Sequence, residues 1–203
     1  MQSTLKDSKN IISKILSNGG IAILPTDTIY SLSCITTNTV SLKKILKIKG
    51  RDSDQGMPVL VPTIDYFSIY AQNINNKIKK IIKTFMPGPL TLILNKQPHV
   101  SDLISGPNNT IALRIPDNSN LINIMYKIKS GIIGTSANLS GKPHSLDKYE
   151  IIKDLGTKVD IFVFGEYKVE NKNPSTILDV TSDKIKIIRE GAIKKADIYN
   201  INL

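Results

Sequence analysis

Cysteine, histidine, arginine and aromatic residues are all scarce in this chain of 203 residues. Cys34 is the single cysteine, which excludes an internal disulfide framework and any cysteine-rich metal site. The two histidines, His99 and His144, are far apart, and neither HExxH nor paired-cysteine spacing occurs, which argues against a structural zinc site. Aromatic residues make up 5% of the chain, with no base-stacking motif of the RNP1 kind. No apolar run approaches the roughly 18 residues needed to cross a bilayer. The N-terminal segment carries lysines but no continuous apolar core, because Gly19-Gly20 interrupts it before the short Ile21–Leu24 run. No secretory signal is read there, and a cytoplasmic protein is expected.

Of the 27 basic residues, all but Arg51, Arg114 and Arg189 are lysine. The guanidinium is a rigid fork of five donors that grips phosphate or carboxylate, whereas an ammonium is a mobile point charge. Each arginine lies in a polar, punctuated segment: KIKGRDSDQGMP, TIALRIPD and KIIREGA. Three retained arginines point to an anionic ligand. The formal net charge of +10 favours anionic partners in general, although lysine surplus alone produces it. Apolar content of 40% and charged content of 22% belong to a globular protein, and the length fits one large domain.

Periodicity divides the chain into alternating helical and strand-like pieces. Helices are predicted near 8–18, 39–48, 75–85 and 118–129. Ile11, Ile12, Ile15 and Leu16 mark the first stripe, and Leu121, Ile122, Met125 and Ile128 the last. Strands are predicted at 21–24, 58–61, 90–94, 110–115, 131–134, 159–164, 175–180 and 184–189. Segments 90–115 and 175–190 place strand after strand, so the expected class is α/β or α+β with one mixed sheet.

Four polar segments interrupt this scaffold at strand ends. In Pro25-Thr26-Asp27-Thr28-Ile29-Tyr30, proline stops the strand. The following hydroxyls and carboxylate either cap a turn or offer Thr28 and Tyr30 to a pocket. In Lys49-Gly50-Arg51, an extended backbone would aim both cations to one side. Thr135-Ser136-Ala137-Asn138-Leu139-Ser140-Gly141 is rich in hydroxyls, amide and free backbone N–H groups. It is no Walker A loop, because six residues separate Gly134 from Gly141 and Pro143 follows Lys142. Nor is it a nucleophile elbow, which needs a closing glycine. Pro174-Ser175-Thr176 leads into a strand, with Arg189-Glu190-Gly191 after the next one. Met86-Pro87-Gly88-Pro89 reads as a rigid lead-in to a strand.

Taken in order, GGIAILPTDTIYSLSC (19–34), KGR (49–51), PGPLTLIL (87–94), ALRIPD (112–117), GTSANLSG (134–141), PST (174–176) and IIREGA (187–192) resemble the YrdC family. These are the threonylcarbamoyl-AMP synthases of tRNA modification. The resemblance covers nearly the whole chain. It implies one YrdC-like domain over residues 1–203, a twisted mixed sheet with flanking helices around a positively charged groove, and no additional C-terminal domain.

It also implies that ATP, L-threonine and bicarbonate react to give threonylcarbamoyl-AMP and pyrophosphate. Mg²⁺ would enter with ATP. Partner proteins would then transfer the threonylcarbamoyl group to tRNA next to the anticodon, with tRNA a further partner and no membrane involved. By position, Lys49, Arg51, Ser136 and Asn138 correspond to the signature catalytic and nucleotide-site group. Thr110, Ser145 and Arg189 correspond to further ATP contacts. Thr28, Tyr30, Arg114 and Ser175 correspond to the threonine site. Departures from the family pattern are Ser31 and Ser33 for glycines, Met86 for tryptophan, Ala112 for glycine, and Gln55-Gly56-Met57-Pro58 for Lys-Pro-Leu-Pro. Two rival classes are a non-enzymatic RNA-binding protein and a carbamoyl-transfer module of the hydrogenase-maturation type, the latter found within much longer chains.

Overall fold

A computed structural model describes residues 5–50, 56–164 and 173–201. Arg51 and Gln55 lie outside the described residues. The chain begins with helix α1 (Leu5–Ser17), strands β1 (Ala22–Leu24) and β2 (Ser31–Ser33), and helix α2 (Thr39–Lys49). Strand β3 (Val59–Leu60), helices α3 (Phe67–Tyr70) and α4 (Asn76–Phe85), strand β4 (Leu90–Asn95), helix α5 (Asp102–Ser105) and strand β5 (Thr110–Arg114) follow. Then come helix α6 (Ser119–Ile128), strands β6 (Ile132–Ile133) and β7 (Thr135–Ser136), helix α7 (Lys148–Leu155) and strand β8 (Ile161–Phe162). Strands β9 (Thr176–Asp179) and β10 (Lys186–Arg189) and helix α8 (Lys195–Tyr199) complete the described elements.

Local chemistry explains the helix starts. Asn38, Asn75 and Asn118 each precede a helix in extended conformation and accept a backbone N–H three residues on, at 2.9–3.0 Å. Gly50 ends α2 in the left-handed region at φ +60°, where a side chain would be strained. Lys49 and Gly50 therefore do not take the extended conformation considered from the sequence. Lys49 closes a helix, and its ammonium reaches a different loop.

The strands divide between two mixed sheets where the sequence led us to expect one. One has the order β7-β2-β1-β8 and the other β10-β9-β4-β5-β3-β6. Each combines parallel and antiparallel neighbours: β1 runs parallel to β8 and antiparallel to β2, while β4 runs parallel to β9 and antiparallel to β5. A lone bridge from Ile35 to Ile132 links the two. Helices α1 and α6 cover a core of Ile12, Leu16, Leu24, Leu121, Ile124, Met125 and Ile132, while α2 and α4 close a larger one.

This topology positions the site. The carboxyl ends of β3, β5 and β10 and the amino ends of β4 and β9 lie at one end of the larger sheet, bringing Leu60, Arg114, Arg189, Thr91 and Ser175 together. The smaller sheet points the carboxyl ends of β1 and β7 and the amino end of β2 at the same place.

Candidate active site

A cavity of about 230 Å³ opens where the two sheets converge. Eight of its lining residues carry hydroxyls: Thr26, Thr28, Tyr30, Ser31, Thr91, Thr135, Ser136 and Ser175. Arg114 and Arg189 are the charged residues among the described lining. A pocket with hydroxyl walls and two guanidinium groups suits a small polar anion.

Proline at 25 ends β1, and the next turn is tied by one side chain. Thr26 Oγ1 accepts the N–H groups of Thr28 and Ile29 at 3.1 and 3.3 Å and donates to the Ile29 carbonyl at 2.6 Å. The capping and pocket readings of this segment both hold, because Thr26 ties the turn while Thr28 faces Arg114. Arg114 is 5% exposed, and its fork is shared between two loop segments. Nε donates to the Gly88 carbonyl at 2.9 Å, Nη1 to Thr28 Oγ1 at 2.9 Å and Nη2 to Asp27 Oδ1 at 2.5 Å. Three of five guanidinium N–H groups are engaged, which leaves two for a ligand. The Met86-Pro87-Gly88-Pro89 lead-in thus does more than stiffen the start of β4.

The opposite wall is built by the tail. Ser175 Oγ lies 2.8 Å from Thr91 Oγ1 across the β9–β4 pair. Arg189 is held on the Ser175 carbonyl by Nε and Nη2 at 3.2 and 2.8 Å. Burial first, and the positive charge of Arg114 second, push the Arg189 guanidinium below its ordinary range. Two like charges sense each other across the cavity, and an anion between them relieves that repulsion. Gly191 lets the tail pass close to the chain at 174–175, since a Cβ there would meet the Pro174 carbonyl at 2.1 Å. Thr176 Oγ1 fastens the same return by accepting from Gly191 and Ile193 N–H at 2.9 and 3.0 Å. Arg189 is thereby part of the main sheet beside the cavity, as the sequence required for a functional role.

Loop 134–141 forms the third wall, and Lys49 organises it. Lys49 is 1% exposed. Its ammonium donates to the carbonyls of Ser136 at 2.8 Å and Asn138 at 2.6 Å, and lies 2.9 Å from Asn138 Oδ1 and 3.4 Å from Ser136 Oγ. Ser136 lines the cavity, whereas Asn138 and Ser145 line a neighbouring concavity of about 240 Å³ together with Lys142, Lys153, Glu150 and Asp154, and Lys142 is paired with Asp154 at 2.7 Å. The loop is therefore a partition between two hollows. Tyr30 packs edge-on against Phe164 at 5.4 Å, and burial pushes its phenol above the ordinary range, so it stays protonated at neutral pH.

Of the residues picked from sequence, Thr28, Tyr30, Arg114, Ser136, Ser175 and Arg189 share the first cavity, with Lys49 directly behind Ser136. Asn138 and Ser145 share the second. Thr110 opens β5 at the end away from Arg114, and the first cavity's lining does not include it. Sequence reasoning passed over Asp27, Thr91 and the Gly88 carbonyl. All three lay inside quoted segments, and a strong partner 87 residues away, as for Asp27 and Arg114, leaves no local signal. Among the departures, Ser31 and Ser33 satisfy each other's hydroxyls at 2.9 Å, and Met86 is buried.

Comparison with known proteins identifies the family and the fold. A family model described as telomere recombination (Sua5, YciO and YrdC) matches residues 14–191. The chain belongs to the Sua5/YciO/YrdC family. A Methanocaldococcus jannaschii member named "Putative threonylcarbamoyl-AMP synthase" is 37% identical over 182 residues, covering 90% of this chain and 84% of its own. The crystal structure of Pyrococcus abyssi Sua5 complexed with L-threonine superposes with a TM-score of 0.89 at 25% identity, over 98% of this chain. This chain spans only 58% of that one. E. coli YciO shares the fold, with a TM-score of 0.83 over 96% of this chain and 95% of its own. The two mixed sheets and flanking helices match the Sua5/YciO fold. Among the described residues, no helix is long and apolar enough to cross a membrane.

Proposed function

We propose that this chain is an L-threonylcarbamoyladenylate synthase, which forms threonylcarbamoyl-AMP and pyrophosphate from ATP, L-threonine and bicarbonate. One observation carries the reading. The cavity's charged lining is a pair of guanidinium groups, one buried with two N–H groups to spare and the other on the rim, set in a wall of hydroxyls. Arg114 receives the amino-acid carboxylate. The hydroxyls of Thr28, Thr91 and Ser175 surround the side chain, and a buried donor left unpaired by an analogue without the β-hydroxyl costs about 1–3 kcal/mol.

The threonine amine adds to bicarbonate with loss of water to give a carbamate. A carbamate oxygen attacks the α-phosphorus of ATP, a P–O bond to the β-phosphate breaks, and pyrophosphate departs. No protein nucleophile is needed. The protein positions the reactants and offsets phosphate charge, which suits Arg189 at the cavity rim and the loop N–H groups around Ser136. Lys49 acts by holding that loop. Asn138, Ser145 and Lys153 of the second hollow take the remainder of the nucleotide. Mg²⁺ arrives as part of the MgATP substrate. The product passes to partner proteins that modify tRNA.

Pyrophosphate release by the purified protein tests this reading. Release should require threonine and bicarbonate together, with serine a poor substitute. Equal release without threonine would mark a plain ATP pyrophosphatase and overturn the proposal. Binding of RNA without any such turnover would favour the non-enzymatic alternative.

A further inference from the structure

Asp27 is a partly buried acid with an unusual allocation of its two oxygens. Oδ1 pairs with Arg114 Nη2 at 2.5 Å, with the two side chains 13% and 6% exposed. Oδ2 is shielded from solvent and has no hydrogen-bond partner among the described residues. Asp27 is absent from the cavity lining, whereas its neighbours Thr26 and Thr28 belong to it. A pair kept only for stability would satisfy both oxygens, because a buried acceptor left unpaired is unfavourable. The arrangement makes sense if the orientation of Arg114 is the property being maintained.

The forces on that guanidinium support this view. Arg114 is desolvated, and Arg189 presents a second positive charge across the cavity, so an unpartnered fork would turn away from Arg189 or from the interior. Gly88 and Thr28 are neutral acceptors that set direction but supply no counter-charge. Asp27 supplies the counter-charge behind the fork, on the side away from the cavity lining.

We infer that Asp27 is a positioning residue for substrate recognition: it anchors Arg114 so that the two remaining N–H groups face the cavity and take the substrate carboxylate. The inference rests on the reading of Arg114 as the carboxylate receptor. Asp27 touches no substrate and acts through Arg114.

The test is calorimetric titration of L-threonine into the full-length protein, with MgATP titrated in parallel. Variants are Asp27→Asn, Arg114→Lys and the double variant, each checked by thermal melting. Asp27→Asn keeps the shape and an acceptor for Nη2 but removes the charge. It should weaken threonine binding by about tenfold or more and MgATP binding by less than about twofold. In the Arg114→Lys background the same change should add no more than about twofold, because its route of action is gone. Threonine binding by Asp27→Asn at the wild-type level would overturn the inference alone. Equal weakening of threonine and MgATP with a lowered melting temperature would also overturn it, as a merely structural role. Additive losses in the double variant would show that Asp27 acts without Arg114, again against it. A wild-type protein that binds no threonine would overturn both this inference and the function on which it rests.

Discussion

Replacing Lys49 by methionine separates two roles that a cation beside an anion site can have. A phosphate ligand contributes to binding and leaves the unliganded fold unaffected when removed. Lys49 is placed differently: it is 1% exposed, and its ammonium serves the carbonyls of Ser136 and Asn138 at 2.8 and 2.6 Å. Methionine fills a similar volume and supplies no donor, so both carbonyls lose their charged partner. Charge-assisted hydrogen bonds contribute about 1.5–3 kcal/mol each. Part of that gain is offset because the desolvated ammonium is removed as well. A net loss of about 2–4 kcal/mol is expected, which in a domain of this size lowers the melting temperature by roughly 4–16 °C. Thermal unfolding without ligand measures it, and pyrophosphate release measures the consequence for loop 134–141. Activity should fall together with stability. A Lys49→Met protein that melts like the wild type while losing ATP affinity would refute the reasoning and return Lys49 to the phosphates.

Two other outcomes follow from the same geometry. Arg189→Ala should weaken MgATP binding by roughly ten- to a hundred-fold in titration calorimetry, as for a lost phosphate contact, and unchanged affinity in a folded variant would remove Arg189 from the site. Burial pushes the Cys34 thiol from 9.0 up to about 12, so the native protein holds its proton where the unfolded chain releases it. Stability from this group is complete below pH 9 and declines as pH rises from about 9 towards 12, and native Cys34 should resist thiol reagents at pH 8 until unfolding exposes it.

Much of the scaffold is written in local pattern. The apolar stripes of α1, α2, α4 and α6 repeat at helical spacing, and asparagine stands before three of these four helices, so their positions agree with the periodicity to within a few residues. Strands β4, β5, β9 and β10 show as runs of branched apolar residues. Most elements that escaped are short or polar: β2 reads Ser-Leu-Ser, β7 is Thr135-Ser136, α3 and α5 are four residues each and α8 is five, and the eight-residue α7 behind Asp147 escaped as well. Such pieces exist because neighbouring strands and cores hold them, and no periodic stripe announces them.

The scarcity of arginine, read from residues alone, singled out Arg51, Arg114 and Arg189; the last two reach the cavity, and Arg51 lies outside the described residues. Composition and order could also place Thr28, Ser136 and Ser175 at strand ends, where polar segments collect. Their partnerships were beyond that reach. Lys49 is a residue of α2 whose acceptors lie 87 and 89 residues onward, and Arg114 finds its counter-charge 87 residues back. Whether a cation faces a ligand or its own backbone depends on helix ends, strand register and the meeting of two sheets. Those are set by packing between distant segments, so the chain's local pattern specifies which charges exist, and the assembled fold assigns each of them its neighbour.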